Sequence, residues 1–406
     1  MTSSKATKLA PLPSSLDENV PTPVSLYIHW PFCTSKCPYC DFNSHVSQHI
    51  EEKKWQKAYE NALISAAQLM PTPPPLRTIF FGGGTPSLMS PGLVKHVLDG
   101  AKQVWGFSPN IEITLEANPG SLLASHLEGY LQAGVNRLSI GIQSFCEEGL
   151  SFLGRGHSVV QGKEAISLAR SMLCNLSIDL IYAHPKHSLS QWEKELHEAL
   201  AYELPHYSLY QLTIEPTTPF FHAHRKGSFT MPDDEKSRTF YTHTHKILAA
   251  HGLPSYEVSN FARPGFQCQH NQNYWWYHNF IGVGPGAHGR IRGGTDTYAT
   301  TQHKAPTKWL DTALTAPNTL MRSTPLTPSE IFAEKTLMAL RLNQGIPYIH
   351  LAPQGKETFW ATLGLHKEKT LAKEGYISSN KEVLELTWEG RLRLNSILTY
   401  LLSDLE

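Results

Sequence analysis

The chain has 406 residues, 40% apolar and 17% charged, a balance that supports two to three packed domains and excludes general disorder. Thirty-five Lys and Arg against 35 Asp and Glu leave no formal net charge, which excludes nucleic-acid or membrane binding driven by bulk charge. The longest apolar stretch, Ala165–Tyr182, is broken by Arg170, Asn175 and Asp179, so no transmembrane helix is expected.

Residues 1–23 are polar and Pro-rich, with Asp17 and Glu18, no apolar signal-peptide core and no arginine, and read as a disordered tail. Short β-rich runs then alternate with helical patterns. The runs are Ser25–Trp30, Arg77–Gly82, Glu112–Ala117, Arg137–Ile142, Leu176–Tyr182 and His206–Thr213. Helices are expected near 51–70, 90–105, 121–134, 160–172, 189–203 and 233–251. Six β-α units in a row predict a parallel sheet in a core over 24–252, either doubly wound or barrel-like. Pro254–Ala287 is aromatic and irregular, and 290–325, rich in Thr, Pro and Gly, reads as a linker; together 253–325 forms a connecting segment. Residues 326–406 predict a small α+β domain: a helix over 327–343, a hairpin of Tyr376–Ser379 and Glu382–Thr387 around Asn380-Lys381, and a helix over Trp388–Leu402. That order is similar to a winged-helix module. The segment is not strongly basic, which leaves a docking or lid role open beside nucleic-acid binding.

The six cysteines are Cys33, Cys37, Cys40, Cys146, Cys174 and Cys268. A secreted disulfide scaffold would spread them along the chain, so a reducing compartment, the cytoplasm, is expected. The first three follow the first strand at i, i+4 and i+7. On a helix that spacing would form one buried stripe. Pro38 opposes a helix there, because it lacks an N–H and pushes Cys37 out of the α region. A loop then lets three sulfurs converge. Structural zinc would need a fourth ligand, for which Cys268 or His270 are the candidates. An iron–sulfur cubane held by three thiolates would leave one iron open to a chelating ligand.

Polar residues recur where later strands end. Gly82-Gly83-Gly84-Thr85-Pro86 is a tight turn or a close backbone approach to a ligand. Glu116, Gln143 and Arg155 each have a plain reading as a solvated acid, a helix cap and a surface pair. Asp179 is an acid inside an apolar strand, where burial without a partner is costly.

Cys-x3-Cys-x2-Cys, with an aromatic residue before the last cysteine, resembles the signature of the radical S-adenosylmethionine (SAM) superfamily. The resemblance covers roughly residues 25–400. It implies a partial (β/α)6 TIM-like barrel with a small C-terminal winged-helix-like α+β domain. Cys33, Cys37 and Cys40 would hold a [4Fe-4S] cluster whose open iron chelates SAM, and the reduced cluster would cleave SAM to methionine and a 5′-deoxyadenosyl radical. Tyr27, Tyr39, Gly84, Thr85, Glu116, Gln143, Arg155 and Asp179 match SAM-contacting positions of the coproporphyrinogen-oxidase-like branch.

Within that branch two groups compete. Oxygen-independent coproporphyrinogen III oxidases decarboxylate propionates; they carry a further cysteine two residues after the third, where this chain has Phe42, and a longer N-terminal extension. The HemW-type heme chaperones carry His-Asn-x-x-Tyr-Trp, matched by His270-Asn271-Gln272-Asn273-Tyr274-Trp275. That resemblance implies a heme carrier without coproporphyrinogen oxidase activity. It would deliver heme to apo-hemoproteins such as respiratory enzymes, touching membrane proteins in passing and binding no nucleic acid. His270 would ligate the iron while Tyr274, Trp275 and Trp276 cover the macrocycle, with Cys268, His278 and His288 as weaker ligands; the plain reading of His270 is a satisfied core histidine. The family's Gly-Leu-Pro-Gly-Gln is replaced by Ala183-His184-Pro185-Lys186-His187, which removes two glycines beside the SAM site, and Gly156 replaces a commoner bulky residue.

Overall fold

The computed structural model describes residues 24–47, 49–70, 74–293 and 296–405. The tail expected over 1–23 lies outside the described residues. Six parallel strands alternate with helices: β1 (Val24–Trp30), β2 (Leu76–Gly83), β3 (Phe107–Ala117), β4 (Arg137–Gln143), β5 (Leu176–Tyr182) and β6 (His206–Gln211). They lie side by side in chain order. The helices are α1 (Glu52–Ala67), α2 (Pro91–Trp105), α3 (Ala124–Ala133), α4 (Glu147–Phe152), α5 (Val159–Met172), α6 (Leu189–Leu200), α7 (Pro219–Arg225) and α8 (Asp234–Ala250). Local chemistry sets their starts. Ser158 with Gln161 and Ser188 with Gln191 form reciprocal capping boxes on α5 and α6.

Each strand has two unlike faces. Leu26, Ile28, Ile79, Phe81, Ile113, Leu115, Leu138, Ile140, Ile178, Leu180 and Leu209 point outward and are buried beneath the helices, which is where the main core sits. The alternate residues point inward and are largely polar. Tyr27 on β1 and Tyr210 on β6 line one cavity, although five strand spacings, roughly 24 Å on a flat sheet, separate them in the ladder. The sheet therefore curls into a partial barrel. It does not close: among the described residues the antiparallel strand β7 (Asn260–Ala262) ends one side.

The segment expected as irregular chain and linker is structured. The helix α9 (Gln269–Trp275) leads into β8 (Asn279–Val283), which pairs parallel with β1 on the side away from β2. β9 (His288–Gly293), β10 (Asp296–Gln302) and β11 (Met321–Pro325) extend the sheet antiparallel, giving the order β11-β10-β9-β8-β1-β2-β3-β4-β5-β6-β7. α10 (Pro306–Thr315) buries Trp309 against α1, with its ring stacked on Trp55 at 5.5 Å. The linker expectation failed because strands rich in Thr and Gly take their pairing from a neighbour already in place, not from apolar alternation.

The last part has its own core, in which Tyr348, Phe359, Trp360, Leu384, Ile397 and Leu401 gather with Trp276 from the chain after α9. α11 (Pro328–Ala339) begins it with a Thr327/Glu330 capping box. Ile377–Ser379 pairs with Val383–Leu386 as the expected hairpin, and Ile346–Pro347 adds a third strand. The final helix is broken into Trp388–Arg391 and Leu394–Leu402. No described helix is long and apolar enough to cross a membrane.

Candidate functional site

The three clustered cysteines lie in a loop just past β1. Phe32–Cys33 pairs with His45–Val46 and closes the loop's neck. Cys40 N donates to Cys37 O at 3.1 Å, a turn that brings the second and third thiols to one side. The anchors come from distant chain. Phe220 N on α7 donates to Pro38 O at 3.0 Å. A Cβ on Gly154 would stand 2.5 Å from the Pro38 ring. Asn43 Nδ2 donates to the carbonyls of Pro285 and Lys304, each at 2.9 Å. His29 Nε2 lies 2.9 Å from Asn43 O, so that nitrogen carries the proton and Nδ1 accepts from Tyr27 Oη at 3.0 Å.

All six cysteines are free. Cys33, Cys37 and Cys40 face a cavity of about 660 Å³, and Tyr39, Gly84, Thr85, Glu116, Gln143, Arg155 and Asp179 line it too. Gly84 sits where a Cβ would be 2.6 Å from Phe32 O, so only glycine lets the β2 end close on the cysteine loop. Thr85 Oγ1 donates to Cys33 Sγ at 3.3 Å. Arg155 Nη2 donates to Gly141 O at 2.9 Å and Nη1 to Cys37 Sγ at 3.4 Å, so one guanidinium ties the β4 end to the second sulfur. Arg155 is therefore no surface pair. Ser139 Oγ donates to Asp179 Oδ1 at 2.9 Å. Burial pushes the carboxyls of Asp179 and Glu116 upward; the Asp179 charge adds to the effect on Glu116, which reaches about 8. Burial also raises the Cys33 and Cys40 thiols.

Tyr27 and His270 lie elsewhere, on a smaller cavity of about 200 Å³ deeper in the barrel, shared with Phe80, Arg137 and Tyr274 and continuous in its lining with the larger one through Glu116, Ser139, Asp179 and Tyr210. His270 is buried and stacked on Phe80 at 5.0 Å. Thr78 Oγ1 gives its proton to Ser25, so it accepts from His270 Nδ1 at 2.7 Å, and His270 Nε2 accepts from Tyr274 Oη at 2.8 Å. The lone pair that iron would need is taken. In this arrangement His270 is a satisfied core histidine, a correction to the expectation of a ready heme ligand. Nor do the three aromatics form one cover. Tyr274 turns into the barrel, while Trp276 packs into the C-terminal core.

Residues 27–199 match the radical SAM superfamily, and 326–393 match the HemN C-terminal domain. A heme chaperone HemW of Escherichia coli is 36% identical, covering 94% of this chain and 99% of its own length. A radical S-adenosyl methionine domain-containing protein 1, mitochondrial, of Danio rerio is 35% identical, covering 94% and 87%. The chain belongs to the radical SAM superfamily, in its HemW-type group. The solved coproporphyrinogen III oxidase HemN of Escherichia coli has the same fold, with a TM-score of 0.79 at 22% identity over 94% of this chain and 90% of that one.

The residues present fit the radical SAM cofactors. Three unbridged thiols that share one cavity with carboxyls, an amide and glycine backbone suit a cluster with one iron left for a chelating ligand. Structural zinc is disfavoured. Of the two candidates for a fourth ligand, Cys268 is held beside Glu112 at the foot of α9 and His270 faces the inner cavity, and neither lines the cysteine cavity.

The departure from Gly-Leu-Pro-Gly-Gln leaves a physical trace. Ala183 has φ +58° and Lys186 φ +61°, so the loop keeps a glycine-type backbone without the glycines. Beside it lies a buried pair: His187 Nε2 is 3.2 Å from Glu195 Oε1, and Glu195 Oε2 accepts from Ser144 Oγ at 2.5 Å and Phe145 N at 2.7 Å. Ser144 follows Gln143, itself at φ +69° in the cavity wall. Sequence reasoning missed Ser139, Tyr210 and Asn395 on this wall. The first two were findable, since they continue the inward polar alternation of β4 and β6. Asn395 comes from the last helix, and no local pattern places it there.

Two outcomes follow for the apo-protein. Ala183→Gly should raise its unfolding free energy in urea by about 0.5–1 kcal/mol, the αL penalty less the glycine entropy cost; Lys186→Gly should do the same. The Glu116 carboxyl binds a proton in the fold that it releases near its ordinary 4.5 when unfolded. Its contribution to stability is thus full below about pH 4.5 and lost as pH rises through about 8. Glu116→Gln should flatten the stability–pH curve between pH 5 and 8; an unchanged slope would rule this carboxyl out as its source.

Proposed function

We propose that this protein is a heme chaperone that holds a [4Fe-4S] cluster on Cys33, Cys37 and Cys40, keeps SAM against it, and passes heme to apo-hemoproteins such as respiratory enzymes. The observation that carries the reading is the single cavity in which the three free thiols meet Gly84, Thr85, Glu116, Gln143, Arg155 and Asp179. Near full-length similarity to the E. coli heme chaperone supports heme as cargo. Phe42 in place of a fourth loop cysteine favours the chaperone over the oxidase.

When bound, the cluster supplies electrons at an iron open to SAM. The chain's own groups set the stage. Thr85 and Arg155 donate hydrogen bonds to the Cys33 and Cys37 sulfurs, which stabilises them as thiolates. Glu116, protonated near neutral pH, can donate as well as accept, while Asp179 is held in place by Ser139. Six unbridged cysteines suit a reducing compartment, and we assign the cytoplasm; the Danio rerio relative's name places that protein in mitochondria. Tyr27 joins the SAM site through the inner cavity, and His270 reaches heme iron only once Tyr274 releases its Nε2.

Anaerobic reconstitution tests the reading. The wild type should take up about four irons per chain, bind hemin, and form no protoporphyrinogen from coproporphyrinogen III. Cys37→Ser should lose the iron, and full iron in that variant would remove Cys37 from the ligand set. Protoporphyrinogen formation would establish the oxidase instead. Tyr274→Phe frees the His270 lone pair and should tighten hemin binding several-fold; unchanged affinity would take His270 off the iron.

A further inference from the structure

At the foot of the barrel, around α9, basic groups outnumber the acids: Arg77 faces Glu112 and donates to Gln269 Oε1 at 3.3 Å, while Arg292 and Lys335 have no acid of their own among the described residues. The ladder sets this end: Val24 pairs with both Asn279 and Leu76, which puts His278 and Arg77 at the same edge. Arg292 joins them, since its N–H donates to Asn279 Oδ1 at 2.9 Å. The C-terminal module closes the other side. His350 meets the edge of Trp276 at 5.0 Å, and Lys335 follows Glu334 on α11.

The charges do not cancel locally. The acid beside Lys335, Glu334, is engaged by Arg290 through two bonds of 2.6 and 2.8 Å and by Tyr277 Oη at 2.5 Å. Arg292 and Lys335 themselves make no ion pair among the described residues, although both are largely shielded from water. His278 and His350 are more than nine-tenths buried, yet His278 Nδ1 and His350 Nε2 have no hydrogen-bond partner. The Trp275 Nε1–H is likewise buried and unpartnered. Buried polar atoms are normally paired, and a cluster of such orphans beside uncompensated cations marks a place where an anionic ligand is missing. The groups act on one another: burial and Arg292 lower Lys335 to about 8, and burial lowers His278 to about 4, with Arg292 and Arg77 adding to it.

We propose that this cluster, with Arg292 and Lys335 at its centre, is the seat for the carboxylates of the cargo, a dicarboxylate carried on an apolar aromatic body, which in the heme reading means the two propionates. The proposal rests on that reading for the identity of the ligand. Carboxylates set here would pair the two cations, and the unpartnered His278 Nδ1 and His350 Nε2 can donate to them in the tautomer that carries the proton there. Trp276, whose ring meets His350 at 5.0 Å, offers an aromatic surface beside them. None of these groups touches the cysteine cavity, so the seat can be tested apart from the cluster.

The probes are hemin and hemin dimethyl ester, which differ only in the two carboxylates, titrated into the full chain with its cluster reconstituted and followed by the Soret band. Wild type should bind hemin about tenfold or more tightly than the ester, and added salt should weaken hemin binding only. Arg292→Gln with Lys335→Gln should bring hemin down to the ester's affinity and leave the ester and the iron content unchanged; Arg292→Lys with Lys335→Arg should restore hemin. If wild type binds both probes equally, the seat is overturned and the heme reading stands, a result that does not depend on any variant folding. If wild type binds neither probe, the heme reading falls and the seat with it. If the Gln pair binds hemin as tightly as wild type, other groups hold the carboxylates.

Discussion

Each strand from β1 to β6 buries two faces of opposite character, and the rest of the molecule depends on satisfying the inner one. The outer face presents aliphatic side chains to the helices and needs nothing but close packing. The inner face presents Ser25, Thr78, Ser139, Ser177, Asp179 and His206, and every such group left unpaired would cost a lost hydrogen bond in a low dielectric. The barrel meets this by pairing across strands. Thr78 bonds Ser25, Ser177 bonds His206 at 2.7 Å, and Ser139 bonds Asp179. α9 completes the set from below, with Glu112 accepting from the amides of Gln269 and His270 at 3.1 Å each and His270 reaching Thr78. A polar interior stays roomy where an apolar one would fill, and the two cavities occupy that room.

The cysteine loop shows how a site on irregular chain is made definite. The loop has little packing of its own. Its position comes from α7 through Pro38, from β1 through His29, from the segments after β8 and β10 through Asn43, and from the β2 end through Gly84. Arg155 then fixes one sulfur relative to β4. Sites held from several directions keep their geometry when a ligand binds, which is what cluster and sulfonium chemistry require. The strained Ala183–His187 loop belongs to the same logic. Two residues there stay in left-handed backbone, next to a buried His187–Glu195 contact whose Glu195 bonds Ser144 beside Gln143.

The two ends of the barrel carry different chemistry. At the carboxyl ends of the strands lie the thiols and the residues of the SAM site, where β/α architectures place reactive groups. At the opposite end α9 brings the His-Asn-x-x-Tyr-Trp segment against the base, with His270 turned inward and Trp276 turned outward into the C-terminal core. The C-terminal module contributes to both ends, through Asn395 on the cysteine cavity and His350 beside Trp276. Its position couples the cavity wall to the barrel base within one packed unit.

The sequence by itself determined the six β-α units, the hairpin near Asn380, the loop character of the cysteine triplet and the glycine run that closes on it. These follow from periodicity, from Pro38 and the Gly82–Gly84 run, and from a motif whose spacing is local. Tertiary structure alone decided the rest. β8 to β11 pair because strands already in place offer free edges, a fact no window of Thr and Gly can signal. Arg155 and Asp179 differ from solvated charges only through what surrounds them. His270 shows the limit most plainly: its motif names an imidazole that could bind iron, but whether its lone pair is free depends on Tyr274 one helical turn away and on Thr78 across the barrel, 192 residues distant in the chain.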